Sequence, residues 1–139
     1  MNRTLSVAEA REVISSGKVG RLGCVDRGEP YVVPINYLCE DRFIYSHSLP
    51  GRKIDVMRSH PRACLQVDRI DDELHWRSAI AFGNFEEVRT KDREVIMSKM
   101  LLRYPRLTPV ESMIVQDAAA AKIIVYRIRI DRITGAAED

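Results

Sequence analysis

Long apolar runs are missing from this chain. No stretch of its 139 residues approaches the ~20 apolar residues that cross a bilayer as a helix, so no membrane span is expected. Cysteine is scarce and poorly spaced for chemistry: Cys24, Cys39 and Cys64 are odd in number, far apart and without a CxxC. They fall in apolar, strand-like runs and read as small buried hydrophobes in a reducing compartment. Histidine is as sparse, and the dispersal of His47, His60 and His75 argues against a metal site. An excess of one charge is missing too. Twenty-two Lys and Arg face 20 Asp and Glu, a net charge of +2 that argues against a bulk polyanion as partner. There is no Walker loop, no dinucleotide glycine spacing, no internal repeat and no Pro/Gly-rich linker, so one domain over residues 1–139 is expected. The first residues lack the apolar core of a signal peptide, and the expectation is a cytoplasmic protein.

What is present is a mixed pattern of short elements. Ser6-Val7-Ala8-Glu9 forms a capping box ahead of an apolar stripe of Val7, Ala10, Val13 and Ile14, with Gly17 as a natural stop. From Val19 the period falls to two, and Asp26-Arg27-Gly28-Glu29 predicts a hairpin turn. Tyr31 to Leu38 reads as the next strand. Pro34 within it cannot donate to a ladder, which marks an edge, a bulge or a place where something other than a strand pairs. Phe43 to His47 is a third strand. A short helix opens at Pro50-Gly51, turns Ile54 and Met57 inward and stops at His60-Pro61. Ala63 to Val67 predicts a fourth strand, 69–74 a polar loop, and Trp76 to Val88 a long strand with Trp76, Ser78, Ile80 and Phe82 on one face. Gly83 there signals a bend or close backbone approach. Thr90 is expected to cap a helix carrying Val95, Ile96, Met100, Leu101 and Leu102, and Thr108-Pro109-Val110-Glu111 to start another. A final strand alternates from Ile124 to Asp131, with a frayed acidic tail from Ala136 to Asp139. Six hairpin-linked strands with short helices predict a mainly β (α+β) fold, an antiparallel barrel.

The stretch that carries chemistry is Tyr45-Ser46-His47-Ser48-Leu49-Pro50-Gly51-Arg52-Lys53. A strand delivers hydroxyls and an imidazole, then a tight turn places two cations in the first turn of a helix. Free amides and the positive dipole end favour an anion there. Arg supplies a fork and Lys a point charge, both suited to a phosphomonoester. Cations at that position oppose the helix dipole unless an anion compensates. A surface turn with two solvated cations accounts for the same nine residues equally well.

Four segments run in order through and around this stretch: Tyr31 to Asn36, Ile44 to His47, His60-Pro61, and Trp76-Arg77-Ser78 through Gly83. With Gly51-Arg52-Lys53 and the ending Tyr126 to Gly135, they resemble the FMN-binding split-barrel proteins, the pyridoxamine 5′-phosphate oxidase-like superfamily, and within it the 5-nitroimidazole resistance branch. The resemblance implies a six-stranded split barrel in which Arg52 and Lys53 hold the FMN phosphate. It also implies that Val33, Pro34, Ile35 and Asn36 run along the isoalloxazine and offer it main-chain groups, which would account for Pro34. Tyr45 and Ser46 are implied near the ribityl chain, and Arg77 and Ser78 where a second subunit reaches the flavin, at a homodimer interface. His47 is implied close to the flavin, where it could donate a proton or bond a substrate nitro group; a strand-end histidine ordering the turn is the equal alternative. Pyridoxamine phosphate oxidases proper carry basic residues where this chain has Tyr31 and Asn36, and end in a longer segment with a Trp and substrate-binding Arg. Pyridoxamine phosphate is therefore not the expected substrate.

The expected function is thus an FMN-dependent oxidoreductase taking electrons from a reduced nicotinamide or other donor to a small acceptor, with nitroaromatic compounds the implied class. The alternative is a module that binds flavin or a heme-type cofactor for sensing or storage without turnover. A nucleic-acid role is suggested only by Arg127, Arg129 and Arg132, which read more simply as the solvated side of a strand.

Overall fold

Local signals build the first hairpin and helix. In the computed structural model, which describes residues 2–104 and 122–139, strand β1 (Asn2–Thr4) leads into helix α1 (Val7–Ser16). The amide of Glu9 donates to Ser6 Oγ at 3.1 Å and the amide of Ser6 donates to Glu9 Oε1 at 3.0 Å, so the capping box is complete. Ala10, Val13 and Ile14 are buried, while Val7 lies outside the stripe and is exposed. Strands β2 (Val19–Asp26) and β3 (Glu29–Asn36) follow. Arg27 and Gly28, with φ of 53° and 82°, are both left-handed, the two-residue turn that matches strand twist.

The predicted strand over Tyr31–Leu38 is in fact two. Tyr37 is fully buried and its hydroxyl donates to the carbonyl of Ile14, which breaks the run into β3 and a short β4 (Leu38–Glu40). Strand β5 (Phe43–Ser48) precedes helix α2 (Arg52–Ser59), whose Ile54, Val56 and Met57 are buried. Strand β6 (Arg62–Asp72) is much longer than its apolar segment. Arg69, Ile70 and Asp72 continue the ladder beyond the core, with a register shift at Asp71, and Glu73 and Leu74 alone make the turn into β7 (His75–Glu87). Both faces of β6 are wet there, so no period shows in the residue types. Helix α3 (Asp92–Arg103) begins after Lys91. Thr90 is not its cap, since its hydroxyl turns to the Asp92 carboxylate at 3.3 Å. The capping box at 108–111 lies outside the described residues.

Strand β8 (Ile124–Glu138) runs to the tail expected to fray. Ala136 pairs with Thr4 on one side and Ser78 on the other, and Ala137 is fully buried, because β1 and β7 flank the strand. A Cβ on Gly83 would fall 2.0 Å from the Arg129 carbonyl oxygen, so β7 and β8 approach closely where the register shifts after Phe82. All pairings are antiparallel, in the order β3-β2-β6-β7-β8-β5-β4 with β1 beside β8. The described strands number eight rather than six, the additions being the three-residue β1 and β4, too short to carry a period.

The two ends of this order, β3 and β4, are consecutive in sequence, so the sheet curls into an open barrel. Its core joins Leu22, Ile35, Ile44, Leu65 and Tyr126 to the buried sides of α1 and α2. Trp76, Ser78, Ile80 and Phe82 do share a face, the half-buried outer one. The opposite face carries Ala79 and Ala81, small enough for α1 to pack close. A second cluster of Val88, Ile96, Met100, Ile123 and Val125 lies under α3. Cys24 is buried, Cys39 and Cys64 are half-buried, and none forms a disulfide; burial pushes all three thiols up.

Candidate functional site

Helix α2 starts without a side-chain cap. Gly51 is extended, and its carbonyl accepts from the amide of Asp55 at 3.1 Å. The amides of Arg52, Lys53 and Ile54 fall in the first turn, where a helix has no internal acceptor for them. Lys53 is half-buried, and burial pulls its ammonium below the ordinary lysine range. Among the described residues no hydrogen bond or ion pair meets it. Uncapped amides and a partly desolvated cation that meets no anion among the described residues make a cradle of positive potential at the helix start, with Asp55 the acidic residue of the same first turn.

Arg52, next to it, is engaged. Its Nε and Nη2 donate to Asp26 Oδ2 at 3.1 and 3.0 Å, and its Cζ sits 4.4 Å from the centre of the Tyr31 ring. The ion pair is solvent-exposed on its Arg52 side and contributes little to stability; its effect is to fix the guanidinium against the β2–β3 hairpin. Sequence reasoning puts Asp26 in a turn and Tyr31 on a strand but links neither to Arg52, because they lie 26 and 21 positions from it and carry no local pattern.

From Tyr31 the strand leads to Asn36. Among the described residues β3 is an edge, with β2 as its strand neighbour, and that is where Pro34 is tolerated. Alternation sends Val33 and Ile35 toward the core and Pro34 and Asn36 to the exposed face. At the far end Ser46, 2% exposed, donates its hydroxyl to the main-chain carbonyl of Asn36 at 2.6 Å and so bridges β5 to β3 across the open side of the barrel. The Ser46 proton is thereby committed. Behind it the Tyr126 hydroxyl is buried with no hydrogen-bond partner among the described residues, and burial pushes it up to about 12, the nearby Ser46 hydroxyl pulling the other way.

Tyr45 and His47 project from the opposite face of β5. Tyr45 packs on the cluster under α3 beside Leu38, with its ring 5.8 Å from Phe43. His47 is half-buried and stands across from Val125. The side chains of Tyr45 and Ser46 therefore cannot reach one ligand from the same side. Ser78 shares the outer face of the sheet with Pro34 and Asn36. A polar chain crosses between them: Arg21, the cross-strand partner of Pro34, donates to Gln66 Oε1 at 3.1 Å, and Gln66 Nε2 donates to Ser78 Oγ at 3.0 Å. Arg77 points to the other face, 3.9 Å from Glu9 of α1. The structure thus groups Arg52 and Lys53 at one end of β3, Ser46 at the other, and Ser78 across the outer face; Tyr45, His47 and Arg77 are directed elsewhere.

Tyr104 is a further residue that sequence reasoning missed. Its hydroxyl accepts from the amide of Tyr37 at 3.1 Å and lies against the carbonyls of Tyr37 and Lys18, pinning the β3–β4 corner to the end of α3. The remaining histidines are peripheral: His60 is exposed at the end of α2, and His75 pairs with Asp72 at 2.8 Å. Arg127 and Arg129 both pair with Glu86, and Arg132 lies 4.1 Å from the centre of the Phe82 ring, so this basic alternation is a paired, stacked face.

A family model described as pyridoxamine 5′-phosphate oxidase matches residues 6–137. The chain belongs to the pyridoxamine 5′-phosphate oxidase family. Among solved structures, an FAD-binding protein (mll6688) from Mesorhizobium loti is 32% identical over 100% of this chain and 99% of its own, with a TM-score of 0.84. A candidate 5-nitroimidazole antibiotic resistance protein from Bacteroides thetaiotaomicron VPI-5482 has the same fold, with a TM-score of 0.75 at 20% identity over 99% of this chain and 89% of that one. A curated relative, the uncharacterized protein RA0666 of Rhizobium meliloti (strain 1021), is 36% identical over 86 residues. That match covers 62% of this chain and 57% of the relative's length. The split-barrel fold implied by the sequence is therefore the fold of this family member, with eight strands.

Proposed function

We propose that this pyridoxamine 5′-phosphate oxidase family member binds the FMN moiety and passes electrons from a reduced nicotinamide donor to a small acceptor of the nitroaromatic class, as a homodimer with two flavin sites. The observation that carries the reading is Lys53: a half-buried ammonium without a partner among the described residues, at the first turn of α2, beside the Arg52 guanidinium. A phosphate there would answer the amides, the lysine and the helix dipole together. The 32% identical Mesorhizobium loti neighbour is an FAD-binding protein, which supports a flavin as the owner of that phosphate.

The chain's own residues divide the work. Lys53 and Arg52 hold the phosphate, Arg52 while stacked on Tyr31. The β3 main chain from Val33 to Asn36, with its free edge at Pro34, lies along the ring. Ser46 fixes the end of that strand through the Asn36 carbonyl. Ser78, held by Gln66, and Arg77 mark the region that meets the second subunit. Tyr45 braces β5 from the α3 side, and His47 is the proton donor to the acceptor. The flavin, when bound, supplies the redox chemistry. Tyr31 and Asn36 stand where a pyridoxamine phosphate oxidase proper has basic residues, so pyridoxamine phosphate is not the proposed substrate.

The absorption spectrum of the purified protein tests this, with identification of whatever denaturation releases. Yellow protein that loses its flavin in the Arg52→Ala, Lys53→Ala double variant while keeping its fold supports the reading. Colourless protein whose melting temperature does not respond to FMN overturns it.

A further inference from the structure

One polar group in the core has no work in the reading above. Tyr126 is fully buried, and its hydroxyl meets no hydrogen-bond partner among the described residues. A phenyl ring alone would fill the same space beside Leu22, Ile35 and Ile44, and would keep the tilted contact with Phe85, 5.6 Å away between centres. The hydroxyl therefore costs the folded chain its desolvation with nothing to offset it. Such a group is accounted for when another state of the molecule gives it a partner.

Strand register supplies that partner. Tyr126 of β8 stands directly across from Ser46 of β5, so both side chains enter the barrel from paired positions on one face. Ser46 gives its one proton to the Asn36 carbonyl at 2.6 Å, which leaves the lone pairs of its oxygen for a donor. The phenol is such a donor, and the Ser46 hydroxyl is close enough to counter the push of burial on it. Ser46 can thus accept from Tyr126 without giving up Asn36, and donation into its oxygen strengthens the bond that it makes. The load on this pair comes from β3. Among the described strands β3 is hydrogen-bonded to β2 alone, with no ladder between β3 and β5. The Ser46 bridge spans that gap at Asn36, so whatever settles on the outer face of β3 bears on it.

We propose that Tyr126 is a positioning residue: with a ring seated along β3, its hydroxyl donates to Ser46 Oγ and completes a relay from Tyr126 through Ser46 to the Asn36 carbonyl. The bond is open without the ring and closed with it, so it contributes to affinity as a difference between two states. This rests on the flavin reading above, and adds to it a residue on β8 that acts on the ring through Ser46 without touching it.

The test is Tyr126→Phe in the full chain, alone and combined with Ser46→Ala, with apo stability read by urea unfolding and FMN affinity by flavin fluorescence. Apo Tyr126→Phe should unfold at or above the urea midpoint of the parent. The same variant should bind FMN about three- to tenfold more weakly, with a changed flavin absorption envelope. In the Ser46→Ala background Tyr126→Phe should move FMN affinity by less than about twofold, because the relay is already cut. FMN affinity that ignores Tyr126→Phe, or an equal loss with and without Ser46, overturns the relay and leaves the flavin reading standing. A lowered apo midpoint also overturns it, since the hydroxyl would then be bonded before any ring arrives. A parent protein that binds no flavin overturns both readings together.

Discussion

Replacing Lys53 by methionine keeps a stem of similar shape and removes only the ammonium. Two consequences of opposite sign follow from the half-buried, unpartnered position of that group. With FMN, a charge-assisted contact worth about 1.5–3 kcal/mol disappears, which weakens binding roughly 10- to 150-fold. Without FMN the variant should be at least as stable as the parent at pH 7, because a desolvated charge with nothing opposite it is gone. The pH dependence isolates the effect. Burial lowers the folded lysine below its usual 10.5, so between the lowered value and 10.5 the unfolded chain holds more protons and apo stability rises with pH. The raised thiols and Tyr37 act the other way, losing stability as pH climbs past about 9 to 10, where the unfolded chain deprotonates first. Subtracting the variant from the parent cancels those groups. The stability advantage of Lys53→Met should therefore be full at pH 7 and shrink toward pH 10.5, read by urea unfolding of both apo proteins across that range. FMN affinity within twofold of the parent, or a stability difference that ignores pH, would refute the assignment of Lys53 to the phosphate.

Other consequences are as direct. His47→Ala should retain FMN but lower acceptor-dependent NADPH oxidation by about 100-fold or more if His47 supplies the proton; unchanged turnover removes that role, and flavin binding with no turnover in the parent itself favours a storage or sensing module. Tyr104→Phe strips the hydroxyl that serves the Tyr37 main chain and should cost about 1–3 kcal/mol in urea unfolding, whereas an unmoved midpoint would show the latch to be idle. Gly83→Ala drives a Cβ into the Arg129 carbonyl, with β7 and β8 both backbone-bound at that point, and should cost about 3 kcal/mol or prevent folding; a normal melting curve contradicts the close approach.

Much of the fold is legible because its signals are local. The Ser6–Glu9 box, the Arg27-Gly28 turn and the α2 segment between Gly51 and His60 each depend on residues a few positions apart, and each forms as read. The misses share a cause: the deciding partner is distant in sequence. Tyr37 breaks a good strand because its hydroxyl finds Ile14, 23 positions back. Ala136 and Ala137 look like a loose tail until β1, from the other end of the chain, closes beside them. Residues 69–72 have no apolar period, yet they stay in the ladder because β7 continues opposite them.

The site divides along the same line. Arg52 and Lys53 were identifiable as cations at a helix start, but their different situations were not. One is tied to Asp26 and Tyr31 through the hairpin, and the other is left without a partner. Adjacent residues on a strand are also easily read as one functional group, and Tyr45-Ser46-His47 shows the error in that habit. The pleat sends Ser46 into the barrel to hold Asn36 and turns Tyr45 and His47 to the α3 side. A ligand on β3 therefore meets the strand-fixing action of Ser46 first, through the Asn36 carbonyl. A proton from His47 has to arrive from the far face of β5 or around its end. This geometry makes Ser46→Ala the sharper test of the β3 surface: it removes the bridge, leaves Lys53 and Arg52 in place, and should loosen the flavin ring while the phosphate end stays held. The expected signature is a changed flavin absorption envelope with less than about tenfold loss of FMN affinity. An unchanged spectrum would mean that the ring does not lie along β3.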